Sequence, residues 1–164
     1  MSDQLLVRDV MRIGVPTCKP EESISAVAAQ MLELGCTAMV VLDEDGDARG
    51  WLNETMIARC LQRVCSREGA DPELSASDVM SELVPDCPSD IPLTAAVELM
   101  RDRGVDHMFF MHHAGGRAWP ASVLSMRDVV RAIAGPEHLA GQGAGAPRPS
   151  PIDLFRQRYG LPKK

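Results

Sequence analysis

Two stretches that repeat one another decide the fold: DVMRIGVPTCKPEESISAVAAQMLELGCTAMVVLDEDG at residues 9–46 and DVMSELVPDCPSDIPLTAAVELMRDRGVDHMFFMHHAG at residues 78–115. Aligned at an offset of 69 residues, they are identical at eleven of 38 positions. The offset then grows to 72, because the second copy carries three extra residues around Gly115. Since a long internal repeat is one structural unit used twice, the sequence predicts two similar units.

Each copy predicts the same order of elements, namely a helix, two strands and a second helix. In the first copy, Ser23 is a good helix N-cap, apolar residues follow with helical spacing, and Gly35 predicts a left-handed stop. The second copy repeats this pattern. The apolar runs at 38–42 and 108–111 are continuous rather than alternating, which is typical of strands covered on both faces.

Shorter strands, at about 50–52 and 121–124, lead into the last helix of each copy. A unit of about sixty residues buries a core with difficulty when it stands alone. We therefore expect the two units to pack sheet to sheet with pseudo-twofold symmetry, giving a fold of the α/β class in the broad α+β sense.

The composition changes along the chain and suggests five segments. They are a first unit at 1–65, a polar linker at 66–77, a second unit at 78–135, a flexible Gly/Pro-rich linker at 136–151 and a short amphipathic tail at 152–164.

The composition also excludes several classes of protein. The net charge is −6 over 164 residues, so a nucleic-acid partner is not expected. No apolar run approaches the roughly 20 residues that span a bilayer, and the N-terminus does not resemble a signal peptide, so we expect a cytoplasmic protein. The five cysteines form no Cys-x-x-Cys pair, which favours reduced, buried thiols.

In order and in duplicate, several motifs resemble a tandem pair of cystathionine-beta-synthase (CBS) domains, often called a Bateman module. They are the Asp-Val-Met motif, the Val-Pro-x-Cys segment, the glycine-ended helix, the apolar strand and the Asp/Gly turn. The resemblance covers about residues 5–134. It implies a regulatory ligand sensor rather than an enzyme, with a cleft between the copies for AMP, ADP or ATP, and a flat homodimer.

The resemblance also implies specific ligand contacts in the second copy. Ser122, Ser125 and Asp128 match the family's small-x-x-Ser/Thr-x-x-Asp element, in which the aspartate accepts hydrogen bonds from a ribose diol. Ser125 would cap the helix and bring backbone N–H groups near phosphate. An aspartate in the first turn of a helix is also favourable through the helix dipole alone.

The first copy departs from this element, because Asn53 and Met56 occupy the serine and aspartate positions. A thioether is a weak hydrogen-bond acceptor. We therefore expect one adenosine site per chain, at Asp128, with the first-copy site empty or used differently. Phe109 replaces the family's usual strand proline, and this ring is expected to narrow the cleft or change the ligand that fits.

Further contacts are implied with the same family as reference. Val84, Pro85 and Asp86 would border the adenine, and His107 would lie near the phosphates. Pro85 could equally be a rigid bend, and His107 a surface residue. The full set of predicted ligand-binding residues is Asp128, Ser125, Arg127, Val84, Pro85, Asp86, His107 and Met108. Periodicity does not decide which arginines contact phosphate among Arg101, Arg103, Arg127 and Arg131.

Three other functions compete with this interpretation. A metal site near His107 is disfavoured, and no metal is expected, because the adjacent His112 and His113 would project to opposite faces of a strand. The sequence contains neither a nucleophile elbow nor a phosphate-binding loop, so neither motif indicates an enzyme. The tail has apolar residues with helical spacing, which leaves open a ligand-free dimerising adaptor that recognises an unidentified protein partner through this tail.

Overall fold

The computed structural model describes residues 4–65 and 73–139, where each repeat forms a helix and a hairpin followed by further helix. After a 3₁₀ turn at Val7–Asp9, the elements are β1 (Arg12–Ile13), β2 (Thr17–Cys18), α1 (Ile24–Leu34), β3 (Ala38–Leu42), β4 (Ala48–Asn53), α2 (Glu54–Ala58), α3 (Leu61–Cys65), α4 (Ala76–Val79), α5 (Leu93–Arg103), β5 (His107–Ala114), β6 (Arg117–Ser125), α6 (Met126–Ala134) and α7 (Pro136–Leu139).

The helix boundaries predicted by the capping residues are confirmed. The Ser23 side chain accepts a hydrogen bond from the Ala26 N–H at 3.2 Å and begins α1. The helix ends at Gly35, whose φ of 60° lies in the left-handed region that glycine adopts without steric penalty. Gly104 ends α5 in the same conformation.

The strands form two small sheets, in the orders β2-β3-β4 and β1-β6-β5. In the first sheet β3 pairs parallel to β2 and antiparallel to β4. The second sheet contains the hairpin β5-β6 of the second copy, but its third strand, β1, comes from the first copy. Arg12 lies opposite Val123 in this pairing. The reciprocal contact is a bridge between Trp51 and Ser81.

The two copies therefore exchange the first parts of the segments that precede their helices, while the ends of these segments pair with the sheet of their own copy, through β2 in the first copy and Asp86 in the second. We name residues 6–18 the first lead-in segment and residues 75–87 the second lead-in segment. Val7 and Val10, which are 0% and 2% exposed, pack in the core of the second unit. Ala76, which is fully buried, packs in the core of the first unit. Part of the stretch expected as a polar linker thus completes a core.

A third core cluster lies between the two sheets and confirms that they pack face to face. Val40 and Trp51 from the first sheet meet Phe109 and Val123 from the second. The ring centroids of Trp51 and Phe109 are 5.7 Å apart in an edge-to-face arrangement, which is a favourable geometry for two aromatic rings. Phe109 is fully buried in this layer.

The helices at the end of each copy differ most from the sequence-based expectation. The first copy breaks its last helix into α2 and α3, and α7 occupies the start of the expected flexible linker. On α6 the apolar residues are only partly covered, because Val129 is buried while Val130 and Ile133 are 61% and 81% exposed. None of the helices within the described residues is both long enough and apolar enough to span a membrane.

Three of the five cysteines are buried, and none of the five forms a disulfide bond. Burial raises the pKa of the Cys18 thiol to about 12, and it raises the pKa of Cys87 to about 11. These two thiols are therefore neutral near pH 7. Cys65 is exposed, in contrast to the expectation of buried thiols.

Candidate functional site

One large cleft lies between the first unit and the second lead-in segment, and we name it the open cleft. Its volume is about 1220 Å³. The first unit contributes residues at the start of α2, the second lead-in segment contributes residues 81 and 83–86, and the end of α5 contributes further lining residues. The lining residues that matter below are Asn53, Met56, Arg59, Val84, Pro85, Asp86, Arg101, Arg103, Val105, Asp106 and Met126.

Asn53 explains how the first copy begins its helix without the serine expected there. Its side-chain oxygen accepts a hydrogen bond from the Met56 N–H at 2.9 Å, which caps α2. Its amide nitrogen donates to the Asp106 carboxylate at 2.7 Å, across the boundary between the units. The departure from the family pattern thus supplies an amide donor, which a serine at this position would not provide.

Asp106 belongs to a chain of polar contacts that joins the two units. Its Oδ1 accepts from Asn53 and lies 2.7 Å from His107 Nδ1. His107 Nε2 lies 2.7 Å from the Thr37 hydroxyl on the opposite unit. Because a carboxylate only accepts, His107 carries a proton on Nδ1, and the Thr37 hydroxyl can either donate to Nε2 or accept from it.

This network determines the ionisation of Asp106. Partial burial alone would raise the pKa of this carboxyl, but hydrogen bonding and charge from His107, together with the Asn53 amide, outweigh burial and lower it. Asp106 therefore carries a negative charge near pH 7, and 46% of its side chain is exposed. Its neighbour His107 is buried, with 5% of its side chain exposed.

Asp128 lies in different surroundings from the open cleft. The residue is fully buried, and its Oδ2 accepts from the Ser125 N–H at 2.9 Å and the Ser125 hydroxyl at 2.6 Å. Its Oδ1 lies 3.3 Å from Arg12 Nε and accepts from Arg131 Nη1 at 3.1 Å. Ser125, Asp128, Arg12 and Arg131 are called the Asp128 cluster below. Both oxygens of this carboxylate already have partners.

The structure separates residues that the sequence analysis grouped together. Val84, Pro85 and Asp86 line the open cleft, opposite Asn53 and Met56 of the first copy, and not beside Asp128. The physical reason is the exchange of lead-in segments: Asp128 receives Arg12 of the first lead-in segment instead. A repeat in the sequence shows equivalent residues but not which copies come together.

The other predicted site residues also lie away from the open cleft. Met108 is fully buried in the core of the second unit. Arg127 is exposed on α6. His107 is neither a surface residue nor part of the cleft lining, because Thr37 and Asp106 hold it between the units. Phe109 packs on Trp51 between the sheets, so its ring does not narrow the open cleft.

The arginines divide between the two places. Arg101 and Arg103 line the open cleft together with Arg59, whereas Arg131 pairs with Asp128. Arg103 Nη1 also donates to the Asp86 carbonyl at 3.0 Å, which fixes the end of α5 to the second lead-in segment. Sequence reasoning missed Arg59 and Asp106 as cleft residues. The signal available for Asp106 was its position directly before β5, at the end of a turn that follows a helix.

Among residues 4–65 and 73–139, no group of three or more His, Cys, Asp and Glu side chains is arranged to hold a metal ion. His113 lies 3.6 Å from Asp86, while His112 contacts the Trp119 ring. The two neighbouring histidines thus have different partners.

Comparison with known proteins gives the family. The sequence profile described as "CBS domain" matches residues 7–63 and 76–135. An uncharacterized protein of Methanopyrus kandleri is 26% identical over 125 residues, which cover 76% of this chain and 61% of that protein. The chain thus spans about three fifths of the length of this curated relative.

Three solved structures are similar to the fold. The CBS-domain-containing protein ATU1752 from Agrobacterium tumefaciens has a TM-score of 0.67 and 25% identity, covering 81% of this chain and 96% of that one. The CBS domain pair of protein MJ0100, solved with 5′-methylthioadenosine and S-adenosyl-L-methionine, has a TM-score of 0.66 and 17% identity. The match covers 79% of this chain and 96% of that one. CBSX2 in complex with AMP has a TM-score of 0.59 and 19% identity, and the match covers 79% of this chain and 96% of that one. With both repeats matched and both units folded as in these structures, this chain belongs to the CBS domain family and is a tandem CBS pair.

Proposed function

We propose that this protein is a regulatory module that binds an adenosine derivative in the open cleft and passes the binding signal to a partner protein. The single observation that carries the proposal is the cleft itself. It is about 1220 Å³ in volume, lies between the two units, and combines apolar walls with charged groups at its edge. Ligand sites in proteins are typically concave, largely apolar and furnished with a few polar groups.

The walls of the open cleft suit an adenine ring. Val84 and Pro85 of the second lead-in segment line the cleft together with Met56 of α2, Val105 and Met126. These side chains offer an apolar surface against which an adenine ring can pack. Solved CBS pairs of similar fold hold 5′-methylthioadenosine, S-adenosyl-L-methionine or AMP, which supports an adenosyl ligand here.

The charges at the cleft favour a ligand that carries phosphate. Three arginines, Arg59, Arg101 and Arg103, lie in the lining together with two aspartates, Asp86 and Asp106. Guanidinium groups bind phosphate oxygens through paired hydrogen bonds. We therefore propose AMP, ADP or ATP as the ligand in preference to S-adenosylmethionine, whose sulfonium is positive.

Calorimetric titration of the full chain with AMP, ADP, ATP, 5′-methylthioadenosine and S-adenosylmethionine tests the proposal. We expect about one ligand per chain, with the phosphate-bearing compounds binding most tightly. Arg103→Ala should weaken AMP more than it weakens adenosine. Arg117→Ala is the matched control, because Arg117 contacts the Asp45 turn and does not line the cleft.

The absence of heat with every compound would reject the sensor and favour the ligand-free adaptor. The tail on which that adaptor depends, at 152–164, lies outside the described residues. Removing residues 140–164 should leave nucleotide binding unchanged if the open cleft is the site.

The prediction that Asp128 holds the ribose stays a prediction. For a ribose to reach that carboxylate, Arg12 would have to leave it, because Asp128 is fully buried and both of its oxygens are engaged. Asp128→Ala in the same titration separates the two sites. Unchanged stoichiometry and affinity place the ligand in the open cleft, whereas loss of binding places it at the Asp128 cluster.

The homodimer is part of the proposal as well. Val130 and Ile133 leave an apolar strip on α6 uncovered within the described part of the chain. Light scattering of the purified protein should give twice the mass of one chain, and a monomer at micromolar concentration would contradict the dimer.

A further inference from the structure

We infer that Asp106 is the residue of the open cleft that recognises the ribose hydroxyls of the ligand, an inference that rests on the proposed function. Asp106 lines the cleft and offers a half-exposed carboxylate to it. The lining contains one other carboxylate, Asp86, and the position equivalent to Asp128 is Met56, whose thioether is a weak acceptor.

The two oxygens of Asp106 have different surroundings. Asn53 Nδ2 and His107 Nδ1 both contact Oδ1, each at 2.7 Å. The side-chain hydrogen bonds of this group thus fall on one oxygen and orient the carboxylate, whereas Oδ2 accepts from no side chain within the described part of the protein. A ribose diol presents two O–H donors, and an ionised carboxylate accepts them with charge-assisted hydrogen bonds.

The carboxylate is held in place before a ligand arrives. His107 is buried and reaches Thr37 of the first unit through its other ring nitrogen, so its ring has little freedom to turn. Asn53 is fixed in turn, because its oxygen caps α2. A group that is oriented in advance loses little conformational entropy on binding, which raises affinity. His107 and Asn53 are thus positioning residues for Asp106.

Asp86 is less suited to this role, although it lines the same cleft. Its Oδ2 lies 3.6 Å from His113, and its Oδ1 accepts from the Met111 N–H at 3.4 Å. Both oxygens therefore already have a neighbour, and neither contact is as short as the two that orient Asp106.

Asp106→Asn tests the inference with little change in shape. The asparagine carbonyl still accepts from Asn53 and His107, so the network between the units is retained. The second oxygen becomes an NH₂ group, which cannot accept from a hydroxyl. A purely structural role for Asp106 therefore predicts unchanged ligand binding in this variant, whereas a ribose-binding role predicts a loss.

The probes are adenosine and 2′,3′-dideoxyadenosine, because each adenosyl ligand proposed here contains this nucleoside. In NMR titrations the wild-type chain should bind adenosine about tenfold or more tightly than the dideoxy compound, since hydrogen bonds to a charged group are lost. Asp106→Asn should bind both compounds with similar, weak affinity. Asp90→Asn is the matched control, because Asp90 is an exposed carboxylate before α5 that does not line the cleft.

The outcomes separate the inference from the function on which it rests. If the wild-type chain binds no adenosyl compound, the proposed function and the inference both fail. If it binds adenosine and Asp106→Asn keeps the preference over the dideoxy compound, only the inference is overturned. Loss of that preference in Asp128→Asn instead would assign the diol to the Asp128 cluster. The thermal unfolding midpoint of each variant shows whether it is folded.

Discussion

At the scale of single residues, two equivalent positions lie in different surroundings in the two copies. Asn53 and Met56 border a cleft of about 1220 Å³, while Ser125 and Asp128 are buried with their polar atoms bonded inside the protein. The difference comes from the residue that the other copy supplies. Ser81 is small, whereas its equivalent Arg12 reaches the carboxylate of Asp128.

The Arg12–Asp128 pair should contribute strongly to stability, because 17% of the Arg12 side chain and none of the Asp128 side chain are exposed. Removing one partner of a buried pair leaves an uncompensated charge and lowers stability by about 3 kcal/mol. We expect Arg12→Ala to lower the free energy of unfolding by about that amount in urea denaturation. Arg131 still pairs with the carboxylate and limits the loss.

Arg101→Ala is the control for this measurement, because Arg101 and Asp102 form an exposed pair worth about 0.5 kcal/mol or less. Adding Asp128→Asn to the Arg12→Ala chain should restore part of the lost stability, since it removes the buried charge. Equal effects of Arg12→Ala and Arg101→Ala would show that the buried pair has no special role.

At the scale of elements, β4 and the second lead-in segment approach more closely than any side chain would allow. A Cβ placed on Gly50 would lie 2.6 Å from the Ser81 carbonyl oxygen and 2.7 Å from Met80 Sδ. The close approach permits the two hydrogen bonds between Trp51 and Ser81, at 3.0 and 2.9 Å. Gly50 thus positions one wall of the open cleft.

Gly50→Ala should therefore push the second lead-in segment away from β4. The backbone oxygen of Ser81 cannot move without breaking its bonds to Trp51, so we expect a loss of about 1–3 kcal/mol in the free energy of unfolding. Ligand affinity should fall with it, because Ser81, Val84 and Pro85 line the cleft. Arg49→Ala, at an exposed neighbouring position of β4, should change neither quantity, and a Gly50→Ala protein as stable as wild type would contradict the close packing.

At the scale of the whole molecule, neither unit is complete without the other. Val10 of the first lead-in segment packs in the second core, and the equivalent Val79 packs in the first core. Movement of one lead-in segment should thus disturb the packing of the opposite unit. This arrangement gives a ligand in the open cleft a route to both units, because the second lead-in segment forms one of its walls.

Two matched substitutions test the exchange. Val10→Ala leaves a cavity in the second core and should lower the free energy of unfolding by about 1–2 kcal/mol. Val79→Ala leaves a cavity in the first core. In hydrogen exchange we expect Val10→Ala to speed exchange of β5 and β6 amides more than those of β3 and β4. Val79→Ala should do the reverse. If each substitution instead speeds hydrogen exchange mainly in its own copy, the lead-in segments do not pack in the opposite cores.

Much of the fold follows from local signals that need no tertiary structure. Ser23, Gly35 and Gly104 determine helix ends through hydrogen bonds and backbone conformations within a few residues of each position. The continuous apolar runs likewise form strands, and these are buried because other elements cover both of their faces. The candidate site follows less directly from the sequence: Val84, Pro85 and Asp86 line a cleft with Asn53 and Met56 of the first copy, whereas the sequence analysis grouped them with Asp128 of the second.

By itself, the sequence determined the two units, their order of elements and their membership of one family, because repeat spacing, capping and apolar periodicity act along the chain. Only the tertiary structure decided which copies meet, since pairing of β1 with β6 and of Ser81 with Trp51 is a contact between distant residues. That choice buries Asp128 against Arg12 and brings Asp106 to the open cleft. Burial and charge compensation, which depend on the neighbours in space, thus determine which carboxylate a ligand can reach.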